Sequence, residues 1–448
     1  MEENTLNIAL ITLGCDKNTV DSEEMLGILS HSGYHLVELP EEADAVIVNT
    51  CCFIHDALQE SIDTLFEIAE YKKNGKLRYL IATGCMTERY RDEIRAEIPE
   101  VDAFLGTTGF TAVAEVLERL QAGEQGITVF PDVNRITEES PRQITNRPYT
   151  EYLKIAEGCD KKCTYCAIPK FRGRYRSIPM NRLLKTAREL TEAGVRELIL
   201  VAQETTVYGM DLYGEKKLPE LLRRLAEIED LAWIRILYCY PEEIDDDLIR
   251  CIATEPKVLH YIDMPLQHTE NRILQRMGRI FTKDKLYALV SKLREEIPDI
   301  TLRTTLITGF PGEREEEHEA LLETLNELEF DHLGVFTYSR EEGTVAADMP
   351  EQIPEDTAIR YRDEIMELQQ EISADRNEAL VGSVMDVIIE GYIPEDDVYV
   401  GRSYRDAPDV DGMVFIESDR ELMSGDILPV TITGAAEYDL TAVLFEEQ

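Results

Sequence analysis

The chain has 448 residues, a net charge of −43 at pH 7 and nine cysteines. That length points to roughly two to four domains, and no apolar run approaches the roughly 18 residues a membrane span requires. The charge excludes a generic electrostatic grip on nucleic acid, because phosphates would be repelled at long range. It suits a basic protein partner, such as a ribosomal-protein surface; an acidic bias with no bearing on partners is the plainer alternative.

The start, Met1-Glu-Glu-Asn, is acidic and lacks the basic opening and apolar core of a signal peptide. A cytoplasmic location is expected, with the cysteines as thiols or metal ligands rather than disulfides. Residues 7–13 read as a buried strand ending at Gly14-Cys15. A helix should follow, with Asn18 as its cap and Met25, Ile28 and Leu29 on one face. Residues 45–49 form a second strand ending at Thr50-Cys51-Cys52, then a helix over about 56–71. Residues 79–83 form a third strand ending at Gly84-Cys85. This alternation predicts an α/β domain with a parallel sheet, over residues 1–142.

Three times a cysteine falls just past a strand end. In an open parallel sheet those ends share one edge, where ligands bind. Three convergent thiolates suit an iron–sulfur cluster with one iron left open; inert buried thiols are the simpler alternative for any one of them. Residues 126–148, with Pro131, Pro141 and Pro148, read as a linker.

From about residue 146 to 376, six strand-like segments alternate with helices: 152–156, 197–202, 233–238, 261–264, 301–308 and 332–338. Six units predict a partial (β/α)6 barrel with a lateral opening rather than a closed eight-fold one. Chemistry in such barrels sits at the C-terminal strand ends. After the first strand comes Cys159-Asp-Lys-Lys-Cys163-Thr-Tyr165-Cys166. Three thiolates on one loop hold a soft metal centre, and no nearby His or fourth Cys completes a closed zinc site. On a four-iron cluster the missing ligand leaves an iron open to a substrate. Tyr165 supplies an aromatic face beside it.

Gln203-Glu204 follows the second strand, Pro265-Leu-Gln-His268 the fourth, and Thr308-Gly-Phe-Pro-Gly312 the fifth. The glycines of the last would let backbone approach a ligand. Glu204 and His268, each alone, read more simply as loop polar groups or caps. Arg303, inside a strand, would serve a ligand carboxylate or an internal ion pair. Arg172, Arg174 and Arg176 would meet an anionic ligand or the chain's own acid. Cys239 and Cys251 read as ordinary buried thiols.

Residues 354–379 have apolar positions at helical spacing, including Ile359, Ile365, Leu368 and Ile372. From 380 to 448, five short strands separated by Gly- and Asp-rich turns predict a small antiparallel β-barrel. This stretch has 16 Asp plus Glu against three Arg and no Lys. It offers almost nothing to neutralise phosphates, so RNA binding is not expected there.

The spacing of Cys159, Cys163 and Cys166, with the following 167–176 segment Ala-Ile-Pro-Lys-Phe-Arg-Gly-Arg-Tyr-Arg, resembles the methylthiotransferase branch of the radical S-adenosylmethionine (SAM) enzymes. Residues 12–23, Thr-Leu-Gly-Cys-Asp-Lys-Asn-Thr-Val-Asp-Ser-Glu, resemble the opening motif of the branch that modifies an aspartate of the twelfth small-subunit ribosomal protein. Asn49-Thr-Cys51 and Gly84-Cys85-Met resemble the family's other ligand segments, and the C-terminal barrel resembles its TRAM domain. Cys52 departs from the pattern, standing where the family commonly has a small residue, and keeps the choice between Cys51 and Cys52 open.

The resemblance implies two [4Fe-4S] clusters, one on Cys159, Cys163 and Cys166 and an auxiliary one on Cys15, Cys51 and Cys85. It also implies SAM, contacted by Tyr165, Gln203 and Glu204, and an electron donor such as flavodoxin or ferredoxin. The implied reaction inserts a methylthio group at the β-carbon of the aspartate. The rivals are the same chemistry on a transfer-RNA adenosine and a non-catalytic, metal-stabilised binding protein.

Overall fold

A computed structural model describes residues 6–145 and 147–446; the reading of Met1–Asn4 and the boundary at Asn146 lie outside the described residues. The first unit is a six-stranded parallel sheet. Asn7–Thr12, Ala45–Thr50 and Tyr79–Gly84 lie side by side near its centre. Three shorter strands, His35–Leu36, Ala103–Leu105 and Ile127–Val129, complete it. Ala45–Thr50 is buried along its whole length, as expected of a strand covered on both faces.

The first helix spans Asp16–His31 and is capped by Cys15, not Asn18. The Asn18 side chain instead donates to the carbonyls of Leu13 (2.7 Å) and Thr50 (3.2 Å), tying two cysteine-bearing loops together. The linker is also less passive than its composition. Ile127–Val129 joins the sheet, and Arg142 bridges Glu23 of the first helix and Glu151 of the central barrel.

The central unit has two three-stranded parallel sheets. Thr150–Lys154, Glu197–Val201 and Trp233–Ile236 form one; Tyr261–Asp263, Thr301–Thr308 and His332–Thr337 form the other. They meet where the Tyr238 and Cys239 amides bond to Asp263. Thr150–Lys154 and His332–Thr337 each pair on one side only, so the barrel stays open between them. Glu355–Glu378 forms one long helix that packs on this open side.

The last five strands close into a barrel. Val414–Glu417 pairs parallel with Leu440–Leu444 and the other pairings are antiparallel. Its Val398–Ser403 strand and the loop after it plug the N-terminal end of the central barrel with ion pairs: Arg402 to Glu197 (2.7 Å), Asp411 to Arg303 (3.2 Å) and Arg405 to Asp331 (3.1 Å). Arg303 therefore takes the structural of its two expected roles, also pairing with Asp263 at 3.0 Å. Among the described residues no helix is long and apolar enough to cross a membrane.

Candidate functional site

The three glycine- or threonine-led strand ends of the first sheet bring Cys15, Cys51 and Cys85 together. Gly14 has φ +91°, and a Cβ there would stand 2.7 Å from Cys51 Sγ. Gly84 has φ +98°, and its Cβ would meet the Thr50 carbonyl at 2.5 Å. Only glycine lets these backbones pass so close. Cys51 lies within electrostatic reach of Cys15, and Cys85 within reach of Cys52, Cys15 and Cys51. Burial pushes the Cys51 and Cys85 thiols up, and Cys52 up to about 12. Cys52 turns toward Arg89, which donates to its carbonyl (3.2 Å) and pairs with Glu341 of the barrel (2.7 Å).

Cys159, Cys163 and Cys166 share one clamped loop at the C-terminal end of the first barrel strand. The Cys159 amide donates to the Gly173 carbonyl (3.1 Å), and Thr164 bonds to the Met277 and Arg276 carbonyls. The thiols again interact with one another, and burial raises Cys159 to about 11. Cys163 Sγ lies 3.9 Å from the Tyr240 hydroxyl, and Tyr165 lies within electrostatic reach of both Cys163 and Arg279. Among the described residues no three His, Cys, Asp or Glu side chains converge as a single ion would need.

The residues fit the implied groups. Each triad offers three thiols of the kind that hold an iron–sulfur cluster. Beside the barrel cysteine loop, Gln203 Oε1 and Nε and Nη1 of Arg279 are buried without a hydrogen-bond partner, and Glu204 Oε2 has only an ion pair to Lys161 at 3.6 Å. Such atoms normally find a partner, as a polar ligand would supply. Gln203 donates to Glu157 at 3.2 Å. Glu204 is turned back on its own loop, accepting from the Thr206 amide (3.0 Å) and hydroxyl, and burial raises it to about 7.

Elsewhere the structure assigns other roles. His268 is buried between the Glu270 amide (3.0 Å) and Glu313 (3.3 Å), fixing two strand-end loops to each other. Of the two glycines expected to admit a ligand, Gly309 instead admits a helix, where a Cβ would stand 2.3 Å from Ala358 Cβ, and Gly312 lies against the Arg276 guanidinium, where a Cβ would stand 2.8 Å from Nη2. Arg176 bonds the carbonyls of Arg172 and Arg174, and Arg174 points to solvent. Cys239 and Cys251 are fully buried, as read.

Residues 7–106 match the model "Uncharacterized protein family UPF0004", 153–325 the Radical SAM superfamily, and 381–444 the TRAM domain. The chain is 54% identical to the ribosomal protein uS12 methylthiotransferase RimO of Lachnoclostridium phytofermentans, over 97% of this chain and 99% of that protein. It belongs to the RimO family. The RimO of Clostridioides difficile is 46% identical over 98% of this chain and 99% of its own. Among solved structures, the radical SAM methyltransferase TsrM from Kitasatospora setae, with a SAM analog bound, has a TM-score of 0.55 at 15% identity. It covers 73% of this chain and 72% of that one, a likeness of fold.

Several residues of this RimO-family site escape a reading of sequence alone. Lys161 pairs with Glu243 (2.6 Å) beside Glu204 and Glu242. Arg279 lies 4.2 Å from the Tyr240 ring centroid. Tyr238 has φ +61°, a left-handed conformation costly for a bulky residue. Its hydroxyl donates to Asp16 (3.1 Å), and Lys17 sits 3.4 Å over its ring. Local signals existed for some: Lys161 lies inside the cysteine loop, and Tyr238 and Tyr240 flank Cys239 at a strand end.

Proposed function

We propose that this chain is a radical SAM methylthiotransferase that adds a methylthio group to the β-carbon of an aspartate in the ribosomal protein uS12. The observation that carries the reading is the presence of two cysteine triads, each drawn together at strand ends, in a chain related over its length to RimO proteins. Cys159, Cys163 and Cys166 would hold the [4Fe-4S] cluster that binds SAM, and Cys15, Cys51 and Cys85 the auxiliary one. When bound, these groups supply the radical and sulfur chemistry.

The chain's own residues hold and shield. Gln203 and Arg279 present unpaired polar atoms to SAM, with Tyr165 as an aromatic wall and Glu204 behind them. Two of the three arginines of the 380–446 barrel, Arg402 and Arg405, are buried in ion pairs. Among the described residues that leaves Arg420 as its one surface cation, a poor match for RNA and a good one for a basic ribosomal protein. The reading includes domains at about 1–142, 146–376 and 380–448, a cytoplasmic location, and an electron donor such as flavodoxin or ferredoxin.

The test is anaerobic reconstitution with iron, sulfide, SAM and a chemical reductant, offering recombinant uS12 and transfer RNA in parallel. A methylthio mass on uS12 alone is expected. A methylthio-adenosine would move the substrate to transfer RNA, and no SAM cleavage at all would overturn the reading.

A further inference from the structure

The segment that follows the barrel cysteines does not stay in the barrel. Ala167 and Phe171 are buried in the core of the first domain, against Cys52, Cys85, Met86 and Phe104. The Thr107 hydroxyl of that domain donates to the Phe171 carbonyl at 2.8 Å. The next residue, Arg172, is 2% exposed. Its Nε donates to Cys85 Sγ at 3.2 Å and its Nη2 to Asn18 Oδ1. Its Nη1 pairs at 3.0 Å with both Asp21 and Glu157. Glu157 in turn accepts from Gln203 and lies two residues before Cys159. One guanidinium thus touches a thiol of the first triad and, through Glu157, the loop of the second.

We infer that Arg172 is a positioning residue that sets the reduction potential of the auxiliary centre and fixes it relative to the barrel centre. The inference rests on the assignment of Cys85 as a ligand of that centre. An N–H donated to a coordinating sulfur stabilises the more negative, reduced state and so raises its potential. A guanidinium does this with a fixed fork, holding Asn18 and two carboxylates with its other nitrogens. Asn18 ties the Cys15 and Cys51 loops through Leu13 and Thr50, so the same fork sets where all three thiols stand. Lysine, with a single ammonium, cannot occupy all four contacts.

The experiment is a redox titration of the full chain carrying both clusters, followed by electron paramagnetic resonance. The auxiliary signal is identified by its loss in Cys85→Ala. If Cys85→Ala keeps both signals, the ligand assignment fails rather than the role of Arg172. Arg172→Lys and Arg172→Met should each lower the auxiliary potential, the Met variant further, with the barrel centre unmoved. Sulfur insertion should fall about 10–100-fold, as for other groups that orient metal ligands. Arg174→Ala removes a neighbouring but exposed charge and should move neither potential. The inference is overturned if either Arg172 variant, with full iron content and both signals, titrates at the wild-type potential. It is also overturned if both variants lose the auxiliary centre while keeping the other, since the role would then be assembly.

Discussion

Arg402 of the C-terminal barrel donates to Glu197 at the start of a central-barrel strand across 2.7 Å, with both side chains out of solvent. Arg235 occupies the other carboxylate oxygen at 2.9 Å. Removing one partner of such a buried pair leaves a charge desolvated and poorly paired. Arg402→Met is therefore expected to cost about 3–5 kcal/mol, read as a lower denaturant midpoint. A midpoint equal to wild type would mean that the two barrels are not held together here.

The same carboxylate sets an acid limit. Burial raises Glu197, but Arg402 and Arg235 overcome this and hold it down from its ordinary 4.5 to about 2. A depressed carboxylate contributes stability that is complete above its unfolded value and lost as pH falls through its folded one. Stability on the order of 3 kcal/mol should disappear between about pH 4.5 and 2. Glu197→Gln should lack that component, so its unfolding free energy should change less across the window. Parallel curves for the two proteins would refute the assignment.

Gly309, at φ +73°, lies under Ala358 of the long helix. A methyl group there collides with Ala358 Cβ, so Gly309→Ala should destabilise by about 1–3 kcal/mol. A double-mutant cycle with Ala358→Gly should return a coupling energy, because neighbours are non-additive. Strict additivity would show that the helix does not press on this turn.

The two cysteine triads have separable roles. Cys163→Ala should abolish SAM cleavage, followed as 5′-deoxyadenosine release. Cys15→Ala should spare cleavage and stop sulfur insertion, followed by the mass of the protein product. Continued insertion by the Cys15 variant would remove the first domain from the chemistry.

The elements most legible in the sequence are those fixed by local pattern. The six central strands and the buried Ala45–Thr50 strand are short apolar runs between turn residues, and Cys15, Cys51 and Cys85 each fall within three residues of a strand end. What stayed hidden depends on partners far along the chain. Asn18 has the chemistry of a helix cap, yet its bonds run to Leu13 and to Thr50. Arg303 meets Asp411 from another domain, and Gly309 is glycine because of Ala358. Of the SAM-facing candidates, Glu204 satisfies part of its carboxylate on Thr206, two residues on, whereas Arg279 carried no local mark. Its significance appears only once Tyr240 and the cysteine loop pack around it.

The most direct measurement is a mass spectrum of the small-subunit ribosomal proteins from the host with and without this gene, beside nucleoside analysis of its transfer RNA. When the gene is absent, uS12 should lose a methylthio mass and transfer RNA should be unchanged. An unaltered uS12 with loss of a methylthio-adenosine would contradict that expectation.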